Sequence, residues 1–270
     1  MHLKHCFPSI QKQNFCVFLV GCFAFIPILF SSRTLTAQTL NIKKQNCHLS
    51  KEDTATIDKI ARYEAAFYNA VFETAKNDSL NINIYVFGRK ADFKETPDGE
   101  NALHVSGDGY YWEKTGAVYL LKTDHVNEAL LHEISHVFLH YNFNQPPKWF
   151  DEGLATYFGS LIVEDKQIFY TPVVGRIERI KELVSNRSLN LEDFLNNNNR
   201  NWGDDINRIT DKYTVAYSII YFLVKTNLNL VKQLADGLKA GKASSTVLAE
   251  CFGSMGNFES RFSGFYKQQN

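Results

Sequence analysis

The stretch LLHEISHVFLHY, Leu130 to Tyr141, constrains the fold more than any other part of the chain. At about 100° per residue, Val126, Leu130, Ile134, Val137 and Tyr141 share one side of a helix, and Leu131, Phe138 and Leu139 cover much of the rest. A helix that is apolar nearly all round belongs in the interior of a domain. Yet His132, Glu133 and His136 sit in its middle, with little water to reach. Burying a carboxylate and two imidazoles without compensation is costly, so something has to compensate them. A core helix with capped histidines is one solution, and a divalent cation is the other.

The spacing favours the cation. His132 and His136 are four apart, so both imidazoles leave one helix face about one turn from each other, as a chelating pair must. The pattern HExxH has a mechanical meaning: two neutral imidazoles bind zinc, and the glutamate handles the proton of a water molecule. Fifteen residues separate His136 from Glu152, which lies in the first turn of a second predicted helix within PPKWFDEGLATYFGS. Two histidines, one glutamate and an open position describe a catalytic zinc rather than a closed structural one. Gly153 and Ala155 are small, which predicts a close approach of this helix to the metal helix. His140 extends the histidine stripe and is expected to support the site or the core rather than ligate. Asp151 and Thr156 are candidates for orienting the ligands from behind.

The rest of the chain reads as a small sheet followed by a mostly helical half. Residues 38 to 50 are expected to be an extended lead-in, and apolar positions at threes and fours predict a helix from Lys51 to Lys76. NINIYVF, Asn81 to Phe87, alternates as a strand with Ile82, Ile84 and Val86 on one face. SGDGYYWEKTGAVYLL has the turn chemistry of a hairpin whose second strand is Ala117 to Leu121. The metal helix is expected to start at a Thr123 or Asp124 cap and run to about Tyr141, and the second helix to span Lys148 to Phe158. Further helices are predicted at Gly175–Asn186, Leu191–Leu195, Lys212–Lys225, Leu228–Ala240, Ser244–Phe252 and Asn257–Lys267, with a polar Asn-rich loop from Asn196 to Asp205. Residues 38–270 are thus expected to form one α+β domain.

The first 37 residues differ in kind. Lys4, Lys12 and Arg33 are present without a single acid, around the apolar run from Phe15 to Phe30. This is the layout of a secretory signal, with cleavage expected near Ala37 and export of the remainder; lipidation at Cys22 within LVGC, or a retained anchor, is the alternative. Membrane association is expected only in those alternative cases. Removing the segment takes three of the 29 basic residues and leaves 26 against 29 acidic ones, a formal charge of −3. So balanced a chain gives no electrostatic reason to expect nucleic acid as a partner. Two cysteines remain, Cys47 and Cys251, free to pair or not.

HEISH followed by WFDEGLA resembles the gluzincins, the thermolysin-like and aminopeptidase N-like zinc peptidases, and most closely the short exported peptidase MA-like domains. The resemblance covers about Asn81 to the C-terminus. It implies a zincin-like, thermolysin-type catalytic domain with one Zn2+ held by His132, His136 and Glu152. Glu133 is then the general base, and a peptide or protein is the substrate. The metzincin pattern would need Gly at 139 and His at 142, where this chain has Leu139 and Asn142. In aminopeptidase-like relatives a tyrosine that supports the oxyanion opens a later helix; KYTVAYSIIYFL matches that frame, with Tyr213 at the tyrosine, Tyr217 as the fallback and Ala216 at a glycine of the pattern. Aminopeptidases of this clan also carry Gly-x-Met-Glu-Asn on the edge strand before the metal helix. The equivalent strand is expected to be GAVYLL, Gly116 to Leu121, a candidate for aligning substrate. It lacks the glutamate, so endopeptidase action is favoured over trimming from a free N-terminus. A non-peptidase zinc hydrolase on the same fold, or a peptide-binding module without turnover, is the alternative.

Overall fold

The computed structural model describes residues 38–105, 107–164, 167–197, 202 and 206–268. The expected signal segment, its cleavage point at Ala37 and the alternative Cys22 lie outside the described residues, as does most of the Asn-rich loop. The described residues form one compact unit. It is mixed α and β, with a small sheet near the N-terminal end and mostly helix after it. Among the described residues, no helix is long and apolar enough to cross a membrane.

The four-stranded sheet contains β1 (Thr39–Gln45), β2 (Asn81–Phe87), β4 (Ala117–Leu121) and β3 (Gly109–Trp112) in that spatial order. β1 and β4 pair parallel with β2, while β3 pairs antiparallel with β4. The extended lead-in at 38 to 50 contains the edge strand β1, and one sequence expectation changes: GAVYLL is an interior strand. The edge on the side of the metal helix is β3, because the parallel β2–β4 pairing covers the other flank of β4.

Side chains alternate across this sheet as strand geometry requires. Ile82, Ile84, Val86, Val118 and Leu120 point to one face and are essentially inaccessible to solvent. Against them pack α1 (Lys51–Phe72) and α4 (Val126–Asn142). Phe87, Tyr110 and Leu121 face the other way and form a smaller cluster with Phe93 of α2 (Lys90–Lys94) and Ala102 of α3 (Gly99–Val105). Each fully buried apolar side chain contributes roughly 1.5–3 kcal/mol to holding these layers together.

α1 is opened by a reciprocal cap, in which the Ser50 hydroxyl accepts from the Asp53 amide and the Asp53 carboxylate accepts from the Ser50 amide. It ends at Phe72, short of Lys76, because Glu73 adopts a left-handed conformation at φ 47°. α4 begins at Val126 with His125 as its cap and no side-chain capping bond. Thr123 does not cap it; its hydroxyl accepts from the His125 amide and donates to Asp108. Inside α4, Ser135 is tied to the Tyr68 hydroxyl of α1 at 2.6 Å, which fixes the rotation of α4.

The helical half consists of α5 (Lys148–Gly159), a short hairpin β5 (Leu161–Glu164) and β6 (Gln167–Tyr170), α6 (Val174–Ser185), α7 (Leu191–Asn196), α8 (Ile206–Thr226), α9 (Leu228–Lys239), α10 (Ser244–Phe252) and α11 (Met255–Gln268). α5 lies between α4 and α8. A Cβ at Gly153 would sit 2.9 Å from the Ala216 carbonyl oxygen and from Ile220 Cγ1, so the glycine opens α5 toward α8, not toward α4 as expected. The close approach to the metal helix comes at Gly159, where a Cβ would meet His132 Cβ at 3.3 Å. Cys47 and Cys251 are both free thiols.

Candidate metal centre

α4 and α5 bring the sequence-selected residues together. His132 Nε2 lies 3.4 Å and His136 Nε2 3.9 Å from Glu152 Oε2, and the two imidazole centroids are 5.1 Å apart. His136 and Glu152 are buried, and His132 is half-buried. The three ligand-type atoms lie within 4.8 Å of one another, a span compatible with one cation. Glu152 Oε2 is buried and accepts no hydrogen bond. Leaving such an atom orphaned is costly, so its position between two imidazole nitrogens fits a cation that all three would ligate. The same donor set, two imidazoles and one carboxylate, suits zinc as well as other first-row divalent metals.

The surroundings hold the donors in place. His136 Nδ1 donates to Asp151 Oδ1 at 2.5 Å, while His140 Nε2 lies 3.2 Å from Asp151 Oδ2. Asp151 therefore fixes the His136 tautomer that leaves Nε2 for a metal, and His140 supports Asp151 rather than ligating beside it. Burial alone would lower the His136 pKa, but the charge and hydrogen bond of Asp151 hold it up at about 9. Burial works against the Asp151 carboxylate too, and His136, His140 and Lys148 outweigh it and keep the group well below the usual range.

Lys148 is a partner that sequence reading missed. Its Nζ lies 2.6 Å from Glu152 Oε1, one turn back on α5, leaving Oε2 as the oxygen that faces the histidines. Burial would raise the Glu152 pKa, but Lys148 and the two imidazoles hold it far below the ordinary carboxylate value. The i, i+4 spacing of Lys148 and Glu152 is visible in the sequence; the shelter of the pair is not.

Glu133 is buried on α4, and its pKa is raised by burial, with the two histidines and the Tyr111 amide pulling the other way. Tyr111 belongs to the edge strand β3, so that strand's outward amide is aimed at the glutamate. The Tyr111 ring also stacks on His136 at 6.0 Å. Gly109 sits beside Glu133, whose Cγ would lie 3.3 Å from a Cβ at that position.

Tyr213 and Tyr217 part company. The Tyr217 hydroxyl is fully buried, bonded to the Tyr170 hydroxyl and to the Val173 amide. Tyr213 is half-buried, and the charges bearing on its phenol are those of Glu152, Lys148 and Glu133, with burial pushing its pKa up. Its ring lies edge-on to Trp202 at 5.7 Å, whereas the Tyr217 hydroxyl is engaged by Tyr170 and Val173. Thr156 Oγ1 is buried without a hydrogen-bond partner and orients no ligand.

No protein-family model and no curated protein sequence matches this chain.

Proposed function

We propose that the chain is an exported zinc-dependent metallopeptidase with a zincin-like catalytic domain, acting on peptide or protein substrates as an endopeptidase. The observation that carries this reading is the convergence of His132, His136 and the unpartnered Oε2 of Glu152 beside a buried Glu133. The layout of the first 37 residues supports export.

His132, His136 and Glu152 would hold the ion. When bound, zinc supplies Lewis acidity, which makes water a nucleophile near neutral pH and polarises a carbonyl. The chain's own residues do the rest. Glu133, in an environment that raises its proton affinity, accepts the proton of the attacking water and delivers it to the leaving amine. One water is added across the C–N bond, giving a carboxylate and an amine. Tyr213 donates its phenolic hydrogen to the oxyanion that develops on the substrate carbonyl. Asp151 keeps the His136 ring oriented throughout.

The edge strand β3 is suited to align an extended peptide by main-chain hydrogen bonds, the role sequence reading gave to GAVYLL. Its four residues, Gly109 to Trp112, include no carboxylate, while Glu113 directly after them lies 3.7 Å from His140 Nδ1; the lack of a glutamate in GAVYLL is what favours internal cleavage in this reading. A module that only binds peptides has no need of a buried carboxylate at Glu133. Cleavage of an unstructured protein by the zinc-loaded chain separates the two: Glu133→Gln should lose turnover by about 100-fold or more while keeping its metal. Cleavage at an unchanged rate in Glu133→Gln would remove the proposal.

A further inference from the structure

Among the described residues, Arg176 is a sheltered cation with no acidic partner. Arg62 is paired with Asp58, and Arg179, one turn further along α6, is paired with Asp211 and Glu182. Arg176, half-buried, has only a neutral partner, donating from Nη1 to Thr214 Oγ1 at 3.2 Å. Burial disfavours its charge, and only the Tyr213 and Tyr217 phenols act in the other direction. It also stands in the first turn of α6, where the helix dipole works against a cation. Neither helix stability nor a surface ion pair explains an arginine there. A contact to one threonine hydroxyl uses one of the five N–H donors of a guanidinium fork that fits a carboxylate in two-point fashion.

Thr214 follows Tyr213 on α8, and Thr214 itself is buried. The Tyr213 phenol senses Glu152, Lys148 and Glu133 of the metal centre, and Arg176 in turn senses Tyr213. Gly153, next to Glu152, packs on the Ala216 carbonyl, so Tyr213 and the Arg176-bonded Thr214 lie within one helical turn of the contact between α5 and α8.

We propose that Arg176 is a substrate-recognition residue, whose guanidinium takes a carboxylate of the peptide beside Tyr213. This rests on the peptidase reading of the same site. The carboxylate is either an acidic side chain near the cleaved bond or the C-terminus of a short peptide, and the chemistry of recognition is the same. In this role the Thr214 hydroxyl orients the guanidinium rather than neutralising it.

The test uses the full domain as the zinc-loaded Glu133→Gln protein, which binds without turning over, and two matched peptide pairs. One pair differs by Glu against Gln beside the cleavage site, the other by a free against an amidated C-terminus. Binding by fluorescence anisotropy should favour the acid form in one pair by about ten- to hundredfold, the scale of a hydrogen bond to a charged group. Arg176→Met should bring the acid form down to its neutral twin, and Arg176→Lys should keep part of the preference because it keeps the charge. The pair that responds identifies the source of the carboxylate. A site that does not distinguish either pair, or an Arg176→Met protein that keeps the preference, overturns the proposal. The first outcome needs no variant at residue 176, so poor folding of Arg176→Met does not protect the idea. Zinc content and wild-type cleavage, measured alongside, report separately on the peptidase reading: intact cleavage without acid preference sinks Arg176 alone.

Discussion

The His136 ring is locked by Asp151, whose Oδ1 accepts the Nδ1 hydrogen at 2.5 Å while its other oxygen lies 3.2 Å from His140. The residue next to a candidate metal ligand thus orients another candidate ligand across the helix–helix contact. Asp151 and Glu152 are adjacent on α5, so one helical segment supplies both a donor and the group that aims its partner.

Asp151→Ala should therefore weaken zinc binding by about 10- to 100-fold without removing any ligand. Competition with a chelator of known affinity gives the value. Unchanged affinity would mean that packing alone, chiefly the Tyr111 ring, orients His136.

Gly153→Ala should destabilise the domain by about 1–3 kcal/mol, the usual cost of overpacking. The new methyl would meet the Ala216 carbonyl and Ile220 Cγ1, both at 2.9 Å, and push α5 off α8. Thermal melting reads the loss. Because Glu152 precedes the glycine, zinc affinity should fall with it; a melt identical to wild type would show that the α5–α8 contact gives way freely.

Glu64 on α1 predicts the pH dependence of stability. Its side chain is fully buried, neither oxygen has a hydrogen-bond partner, and burial raises its pKa well above 4.5. The folded state thus holds the proton more tightly than the unfolded chain. Its contribution is fully present below the unfolded value and is lost as pH rises toward the folded one. Glu64→Leu should raise the melting temperature at neutral pH, by about 1–3 kcal/mol in stability, with a gap that grows from pH 5 to pH 8. A gap that shrinks over that interval would contradict the assignment.

The site was legible in the sequence because its geometry is local. Helical spacing alone puts His132 and His136 on one face, and Glu152 begins the next helix after a short break. The sheet was harder. β1, TLNIKKQ, pairs along its whole length with β2 yet turns few apolar side chains inward, so its period-two signal is weak. The edge position of β3 depends on β2 pairing with β4 across the α2–α3 crossover, a long-range choice that no turn signal encodes. Short elements such as α2, α3 and the β5–β6 hairpin carry too few residues for a period. Lys148 and Arg176 stand out only in three dimensions, one because its partner is sheltered and the other because it has no acidic partner among the described residues.

The central claim is that His132, His136 and Glu152 hold one catalytic zinc ion. Metal analysis of the purified mature chain tests it most directly. The account predicts about one zinc per chain, retained in Glu133→Gln and lost in Glu152→Ala and His132→Ala after dialysis against a weak chelator. A wild-type chain that takes up no stoichiometric zinc, or a Glu152→Ala chain that holds it as tightly as wild type, would contradict it.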